Sequence, residues 1–217
     1  MMLRELNKTN SVFNKFLSEM RDVQSQKDSM RFRRNLERLG EIFAYEISKE
    51  LHYELKSVQT PLGIADMYLP TAKIVLGAIL RAGLPLHQGL LNYFDAAENA
   101  FISAYRKYGK DNKFTIQFES ISCPTIEGKV LILCDPMMAT GASMELAYNA
   151  LLTRGRPAHT HIAAPIASRD GVEYILRHLP ADDVTLWTGA IDEELTIKSY
   201  IIPGLGDAGD LAYGSKL

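Results

Sequence analysis

From residue 73 onward, short apolar runs alternate with helix-like segments, and this alternation restricts the possible folds more than any other feature. Four runs have the composition of buried strands: KIVLGAIL (73–80), KVLILCD (129–135), HTHIAAPIA (159–167) and DVTLWTGAI (183–191). The predicted helices between them are 84–94, 145–155 and 171–179. Alternating strands and helices predict an α/β fold, a mostly parallel sheet with helices on both faces. Nearly continuous apolar strands agree, because parallel strands are buried on both faces.

Two further regions complete the predicted architecture. Apolar residues at spacings of three and four predict helices within residues 11–55. NAFISAYR (99–106) is predicted as a strand, and the alternation in FTIQFESI (114–121) marks it as the partner strand of a hairpin. No internal repeat or convincing linker interrupts the chain, so we expect one domain over residues 1–217.

Composition narrows the class of protein and its compartment. With 47% hydrophobic and 23% charged residues and a net charge of −2, the chain is typical of a globular protein and does not suggest a nucleic-acid or membrane partner. Cys123 and Cys134 form neither a CxxC pair nor a disulfide framework, which favours a reducing compartment. The sequence shows no signal-peptide pattern and no run of about 20 apolar residues. We therefore expect a cytoplasmic protein.

The stretch VLILCDPMMATGAS (130–143) places an acid and a small-residue loop directly after a buried strand. In α/β folds ligands bind at the carboxyl ends of the strands. The unpaired N–H groups at the start of the following helix, with the hydroxyls of Thr140 and Ser143, could hold a phosphate. Asp135 could accept hydrogen bonds from sugar hydroxyls, so the stretch suggests a ribose 5-phosphate site. Alternatively, Thr140 is only a helix cap and Asp135 only a turn residue. A nucleoside-triphosphatase loop is disfavoured, because its motif requires a lysine and none follows Gly141.

Two other segments add candidate ligand-binding groups. Arg81 follows the strand 73–80 as Asp135 follows its strand, and a guanidinium can bind pyrophosphate through two hydrogen bonds; a surface arginine at a turn is the alternative. SYIIPGLGDAGDLAYG (199–214) formally contains GxGxxG, but the strand–helix–strand unit that a dinucleotide site requires does not follow it. A glycine-rich segment can instead present backbone N–H and C=O groups to a flat base such as uracil.

Together these segments resemble the uracil phosphoribosyltransferase family. DPMMATGAS is similar to the family's signature for phosphoribosyl pyrophosphate (PRPP), with Ala142 where the family usually has glycine. ILRAGLP, the tyrosine–arginine pair in SAYRKYG (103–109) and YIIPGLGDAGD are similar to three other family motifs, and SEMRD and RFRRNLERLGEIFAYEI to its N-terminal helices. The resemblance implies a type I phosphoribosyltransferase-like fold with N-terminal helices, a β-hairpin arm and a C-terminal base-binding loop.

The resemblance also implies roles for individual residues. The residues implied in PRPP binding are Arg81, Arg106, Asp135, Pro136, Met137, Met138, Ala139, Thr140, Gly141, Ala142, Ser143 and Asp207. Those implied in uracil binding are Tyr200, Ile201, Gly206, Asp207 and Ala208. The residues expected to assist the chemistry directly are Arg81, Arg106 and Asp207.

The expected reaction joins uracil to PRPP, giving UMP and pyrophosphate, with Mg²⁺ bound mainly through PRPP and no metal site built from protein side chains. The resemblance further implies a homodimer or larger oligomer and allows GTP as an activator. Three other functions stay open at this point: transfer to another nucleobase, such as a purine or orotate; a non-catalytic nucleotide-responsive regulator of the same fold that binds RNA; and a degenerate relative that binds nucleotide and does no chemistry.

Overall fold

The computed structural model describes residues 1–108 and 114–215. Its helices are α1 (Val12–Arg21), α2 (Ser29–Ser48), α3 (Leu84–Leu91), α4 (Ala142–Leu152), α5 (Arg169–His178) and α6 (Ala208–Tyr213). Its strands are β1 (Met2–Glu5), β2 (Tyr53–Thr60), β3 (Gly63–Pro70), β4 (Ile74–Leu80), β5 (Glu98–Tyr108), β6 (Phe114–Ser122), β7 (Val130–Cys134), β8 (Met137–Met138), β9 (His159–Ser168), β10 (Val184–Asp192), β11 (Glu194–Leu195) and β12 (Ile201–Ile202).

The central sheet has the strand order β1-β10-β9-β7-β4-β5-β6, and the short strand β8 also pairs with β9. Every neighbouring pair is parallel except β5–β6, which is the predicted antiparallel hairpin. From β4 the chain adds β5 on one side, and β7, β9 and β10 follow on the other. The carboxyl ends of β4 and β7 therefore meet at a topological switch point, where α/β folds bind ligands. The predicted fold class is confirmed.

Side chains alternate between two hydrophobic clusters, one on each face of the sheet. Leu76 and Ala78 of β4 belong to the cluster that also contains residues of α1, α2 and α3. Val75 and Ile79 belong to the cluster that contains residues of α4 and α5. Both faces are thus covered by helices, which explains why the parallel strands read as continuous apolar runs.

The N-terminal region contains two helices, as the periodicity predicts, but its end was predicted wrongly. Ser11 accepts a hydrogen bond from the N–H of Phe13 (3.2 Å) at the start of α1, and Asp28 caps α2 in the same way. The predicted helical region extended to residue 55, whereas α2 ends at Ser48 and β2 begins at Tyr53. The reason lies in tertiary pairing, because β2 forms an antiparallel ladder with β3.

The β2–β3 hairpin forms a separate two-stranded sheet with large apolar side chains exposed on both faces. Ile64 and Tyr68 project from one face and are 71% and 68% exposed, and Met67 projects from the other at 51%. Two-stranded sheets are only marginally stable alone in water, so the hairpin is suited to contact another surface. In the part of the chain described above, no helix has the length and apolar character needed to cross a membrane.

Candidate active site

The connection from β7 to α4 adopts the geometry expected of a phosphate-binding loop. Asp135 follows β7 directly, and its Oδ1 accepts a hydrogen bond from the N–H of Met137 (3.3 Å). Gly141 precedes α4 with φ of +80°, a left-handed conformation that favours glycine. A methyl group on Gly141 would lie 2.9 Å from the Tyr174 ring and 3.0 Å from the Gly171 carbonyl. The loop therefore needs glycine at this position for its backbone conformation and for its packing against α5.

The residues at the start of α5 pack against this loop and form hydrogen bonds to it. The hydroxyl of Ser168 caps α5 by accepting from the N–H of Gly171 (2.9 Å), and it donates to the carbonyl of Ala139. A Cβ on Gly171 would approach that same carbonyl to 2.4 Å. The Ala139 carbonyl therefore points toward the start of α5. The N–H groups of the first turn of α4 carry the positive end of the helix dipole and lie at the strand-end edge of the sheet. One of them, that of Ala142, donates to Oγ1 of Thr140 (3.4 Å).

Only some predicted residues of this loop can offer a side chain to a ligand. Pro136, Met138 and Ala139 are buried, so they can contribute only backbone groups. Asp135, Thr140 and Ser143 are half-buried at the edge. Ala142 is the first residue of α4 and has helical geometry. Because the positive φ falls on Gly141, the departure at Ala142 does not restrict the backbone of the loop.

Arg81 lies at the neighbouring strand end, as predicted. It follows β4 through a cis Leu80–Arg81 peptide bond, and the turn ends at Gly83, the residue before α3. A Cβ on Gly83 would meet the carbonyls of Ile79 (2.6 Å) and Cys134 (3.1 Å). The loop that carries Arg81 therefore packs directly on the end of β7, the strand that leads into Asp135.

The C-terminal segment is fastened to the same edge by an ion pair that the sequence did not reveal. Arg21, the last residue of α1, donates from both terminal nitrogens to the carboxylate of Asp192 (2.7 and 2.8 Å). Asp192 also accepts from the N–H of Gly204 (2.9 Å), and Arg21 donates to the Gly204 carbonyl (2.9 Å). Asp192 ends β10, so it could have been suspected from the same strand-end position that singled out Asp135.

The predicted uracil-binding residues lie in this fastened segment but differ in what they can present. Tyr200 and Gly206 are exposed, and Gly206 has φ of +93° with room for a Cβ, which would lie 3.9 Å from Cδ1 of Leu211. The side chains of Ile201 and Ala208 are each only 4% exposed and belong to the hydrophobic core. These two residues can therefore offer a base only backbone groups, or the apolar floor beneath it.

Asp207 both caps helix α6 and lies within the predicted base-binding segment. It precedes α6 and its Oδ1 accepts from the N–H of Asp210 (3.0 Å), so it caps this short helix. Its half-buried carboxylate lies between the predicted base-binding residues Gly206 and Ala208.

Arg81 joins the strand-end loop to the C-terminal segment. Its Nη2 donates to the carbonyl of Gly214 (3.0 Å) and lies 3.6 Å from Oδ1 of Asp210. Its Nε is buried and has no hydrogen-bond partner within residues 1–108 and 114–215. For Arg106, the structure gives only a backbone position in β5, paired with Ile116 of β6; its side chain lies outside the described part, as do residues 109–113 of the hairpin.

The buried titratable groups His161 and Cys134 on the central strands and His87 in α3 are held in their neutral forms. Burial lowers the pKa of His161 to about 3, and its Nδ1 accepts from the indole N–H of Trp187 (3.1 Å). Burial also lowers the pKa of His87 and raises the pKa of the Cys134 thiol. Among the described residues, no group of three or more His, Cys, Asp or Glu side chains is placed to hold a metal ion.

A parallel sheet with a glycine-containing phosphate loop at its switch point, an arginine at the next strand end and a glycine-rich segment above them is the architecture of the type I phosphoribosyltransferases. A family model described as uracil phosphoribosyltransferase matches residues 8–215. The chain belongs to the uracil phosphoribosyltransferase family.

Curated relatives carry the same description. A uracil phosphoribosyltransferase of Porphyromonas gingivalis is 58% identical over 212 residues, covering 98% of both chains. One of Methanothermobacter thermautotrophicus is 38% identical over 189 residues, covering 86% of this chain and 85% of the relative. Among solved structures, a protein of Aquifex aeolicus superposes with a TM-score of 0.86 at 30% identity, covering 98% of both chains. A hypothetical protein from Neisseria gonorrhoeae with bound ppGpp shares the fold alone, with a TM-score of 0.51 at 11% identity over 74% of this chain and 80% of that one.

Proposed function

We propose that the protein transfers the 5-phosphoribosyl group of PRPP to N1 of uracil, giving UMP and pyrophosphate. One observation carries the assignment of the site: the strand-end loop with Arg81 lies against the end of β7 and also contacts the C-terminal segment. Three sequence motifs that are distant in the chain, for sugar phosphate, pyrophosphate and base, thus meet at one edge of the sheet.

The ribose 5-phosphate would bind in the loop between β7 and α4. Its phosphate would accept from the backbone N–H groups of residues 139–143 and from the hydroxyls of Thr140 and Ser143, where the dipole of α4 favours an anion. The carboxylate of Asp135 would accept hydrogen bonds from the ribose hydroxyls. Because the loop is fixed from below by α5, the sugar would be held in one orientation.

The base and the leaving group would bind on either side of the ribose. Backbone groups of the segment 201–208 would hold the edge of uracil, which offers two carbonyls and an N–H. As the bond between N1 and C1 of the ribose forms, the bond from C1 to the pyrophosphate oxygen breaks, and the N1 proton is released. Arg81 and Arg106 would stabilise the negative charge on the departing pyrophosphate, and Asp207 would orient the base. Positioning and electrostatics would supply most of the rate enhancement.

The donor groups at this edge fit a magnesium ion carried by the substrate. Mg²⁺ in phosphate-transferring sites is usually held by one or two carboxylates together with substrate phosphates and water. Asp135 and Asp207 provide hard oxygen donors here, without a cluster of three ligands among the described residues. When bound, Mg²⁺ would neutralise charge on the pyrophosphate.

The assay for this proposal is formation of nucleotide from PRPP and Mg²⁺ with uracil, and separately with hypoxanthine, guanine, adenine and orotate. We expect UMP from uracil alone. Asp135→Asn should lower kcat/KM for PRPP by about 100-fold, which corresponds to the loss of a hydrogen-bonded charge in the reacting complex. Asp182→Asn, which neutralises an exposed acid at the opposite end of the sheet, is the matched control and should retain full activity.

Each other outcome changes a different part of the proposal. Turnover of another base would retain the PRPP site and reject the assignment of the C-terminal segment to uracil. No turnover with any base would reject the enzymatic function and direct attention to the regulatory alternative, tested by salt-sensitive RNA binding.

We also propose that the protein forms a homodimer through the β2–β3 hairpin, because its apolar side chains are exposed on both faces and a second copy would cover them. Ile64→Lys combined with Tyr68→Lys should shift the molar mass measured by light scattering toward the monomer. Val12→Lys, at a 63% exposed position in α1, should not. An unchanged mass in the hairpin variant would reject this interface.

Activation by GTP and the cytoplasmic location stay predictions.

A further inference from the structure

We propose that Asp210 is a positioning residue that holds Arg81 in place for pyrophosphate and ties that arginine to the base-binding segment. This inference rests on the proposed function, in which Arg81 binds the pyrophosphate of PRPP. Asp210 was not among the residues that sequence reasoning assigned to the site.

The guanidinium of Arg81 contacts the C-terminal segment at two residues. Its Nη2 donates to the carbonyl of Gly214 at 3.0 Å and lies 3.6 Å from Oδ1 of Asp210. That oxygen of Asp210 is buried and has no hydrogen-bond partner among the described residues. The guanidinium is thus held at Nη2 by one hydrogen bond and one ion pair, although the two side chains are only partly buried, at 39% and 41% exposure.

The location of Asp210 connects this contact to the base site through a single helical turn. The backbone N–H of Asp210 donates to Oδ1 of Asp207 at 3.0 Å. Asp207 is the residue that we place beside the base. The backbone of Asp210 therefore binds Asp207 on the base side of the proposed site, and the side chain of Asp210 contacts Arg81 on the pyrophosphate side. Arg33 fixes the other end of the same helix by donating to the carbonyl of Ala212 (2.6 Å).

A long side chain such as that of arginine loses considerable rotamer freedom when it binds a ligand. A neighbour that already restricts the guanidinium removes part of that loss before PRPP arrives. Asp210 also lies in the first turn of α6, where the negative charge of an acid interacts favourably with the helix dipole. A role confined to the helix would affect stability, whereas a positioning role acts through Arg81 and must disappear when Arg81 is removed.

The test is a double-mutant cycle with Asp210→Asn and Arg81→Gln, in which the Kd for PRPP with Mg²⁺ is measured by calorimetry and kcat and KM by UMP formation. We expect Asp210→Asn to raise the Kd and KM for PRPP about three- to tenfold, with a smaller change in kcat. Asp210→Glu should recover part of the loss. In the Arg81→Gln background, Asp210→Asn should have no further effect on PRPP binding.

Two comparisons separate this role from helix stabilisation. Asp170→Asn removes an exposed acid from the first turn of α5 and should leave the Kd for PRPP unchanged. Thermal unfolding of all variants shows whether each is folded; if Asp210→Asn is not, Asp210→Glu and Asp210→Ser complete the same cycle.

Equal effects of Asp210→Asn with and without Arg81 would overturn the positioning role, as would an unchanged Kd. A lower Kd would also overturn it, because it would mean that Asp210 competes with pyrophosphate for Arg81. Failure of the proposed function is distinguishable: the wild type would then make no UMP, or Arg81→Gln would bind PRPP normally.

Discussion

Replacing Arg21 by methionine should loosen the base-binding segment without touching any ligand. Arg21 lies at the end of α1 and is 23% exposed, while its partner Asp192 at the end of β10 is 8% exposed. The substitution keeps much of the apolar stem but removes both hydrogen bonds to Asp192 and the one to the Gly204 carbonyl. Asp192 would remain nearly buried, and among the described residues only the N–H of Gly204 would still donate to its carboxylate.

The magnitude follows from this burial. Removing one partner of a fully buried ion pair costs about 3–5 kcal/mol. Because Arg21 is partly exposed, water can replace some of its contact, and we expect a loss of about 2–3 kcal/mol in the free energy of unfolding. For a chain of this size, 1 kcal/mol lowers Tm by roughly 2–4 °C, so the expected decrease in Tm is about 4–12 °C. The KM for uracil should rise about tenfold, and the KM for PRPP should rise less.

Calorimetric unfolding and steady-state kinetics measure these effects, and the chain provides a closely matched control. Arg31 binds Glu19 through Nε and Nη2 (3.1 and 2.9 Å), so it also joins two elements by a two-point ion pair, but it is 49% exposed and does not contact the C-terminal segment. Arg31→Met should therefore lower Tm by much less than Arg21→Met does and leave the KM for uracil unchanged. If the two variants had the same Tm and the same KM for uracil, the reasoning about the Arg21–Asp192 pair would be refuted.

Three further predictions concern the phosphate loop and the buried strand. Gly141→Ala should lower Tm and raise the KM for PRPP about tenfold, whereas Gly128→Ala, which has a similar positive φ of +66° but open space around it, should lower Tm slightly and leave the KM unchanged; equal effects would reject the packing argument. Ala142→Gly should change the KM for PRPP less than about twofold and cost at most about 1 kcal/mol of stability, and a marked gain in activity would contradict our view of that position. Because the folded pKa of His161 is depressed to about 3, the unfolded chain binds a proton that the folded chain does not, and the free energy of unfolding should fall by about 1.4 kcal/mol per pH unit as pH drops from about 6.5 toward 3. In urea titrations, His161→Gln, which retains an acceptor for Trp187, should lose less stability than the wild type over this range, and parallel pH curves would exclude the histidine as the cause.

The sequence predicts the central sheet well because burial leaves a strong pattern. β4, β7, β9 and β10 lie within one or two residues of their predicted ends, since parallel strands covered on both faces consist almost entirely of apolar residues. Helix α4 was predicted from residue 145 but begins at Ala142. Its first turn continues the loop that we propose to bind phosphate, and the small residues Ala142 and Ser143 there carry no apolar periodicity.

The hairpin β2–β3 and the edge strand β1 escaped prediction for the opposite reason. Both faces of the hairpin are exposed, so burial imposes no sustained alternation of apolar and polar residues on its strands. The strand β1 is only four residues long and is mostly exposed beside β10. Strands that are stabilised by pairing with another strand rather than by burial of their own side chains show no clear hydrophobic pattern in the local sequence.

The residues of the candidate site show that some long-range contacts can still be anticipated from the sequence. The contacts that fasten the C-terminal segment join residues 171 and 183 positions apart, and no local pattern can report them. Yet four polar residues around the site share one position: Arg81 follows β4, Asp135 follows β7, and Ser168 and Asp192 end β9 and β10. Two of these residues are proposed to bind ligand, and the other two hold the loops that surround it. Parallel strands deliver their carboxyl ends to one edge, so a polar residue that ends an apolar run is a candidate for the site in either role. Applied to every strand, this rule would have selected Asp192 from the sequence, and the arginine that neutralises it would then have been the partner to seek.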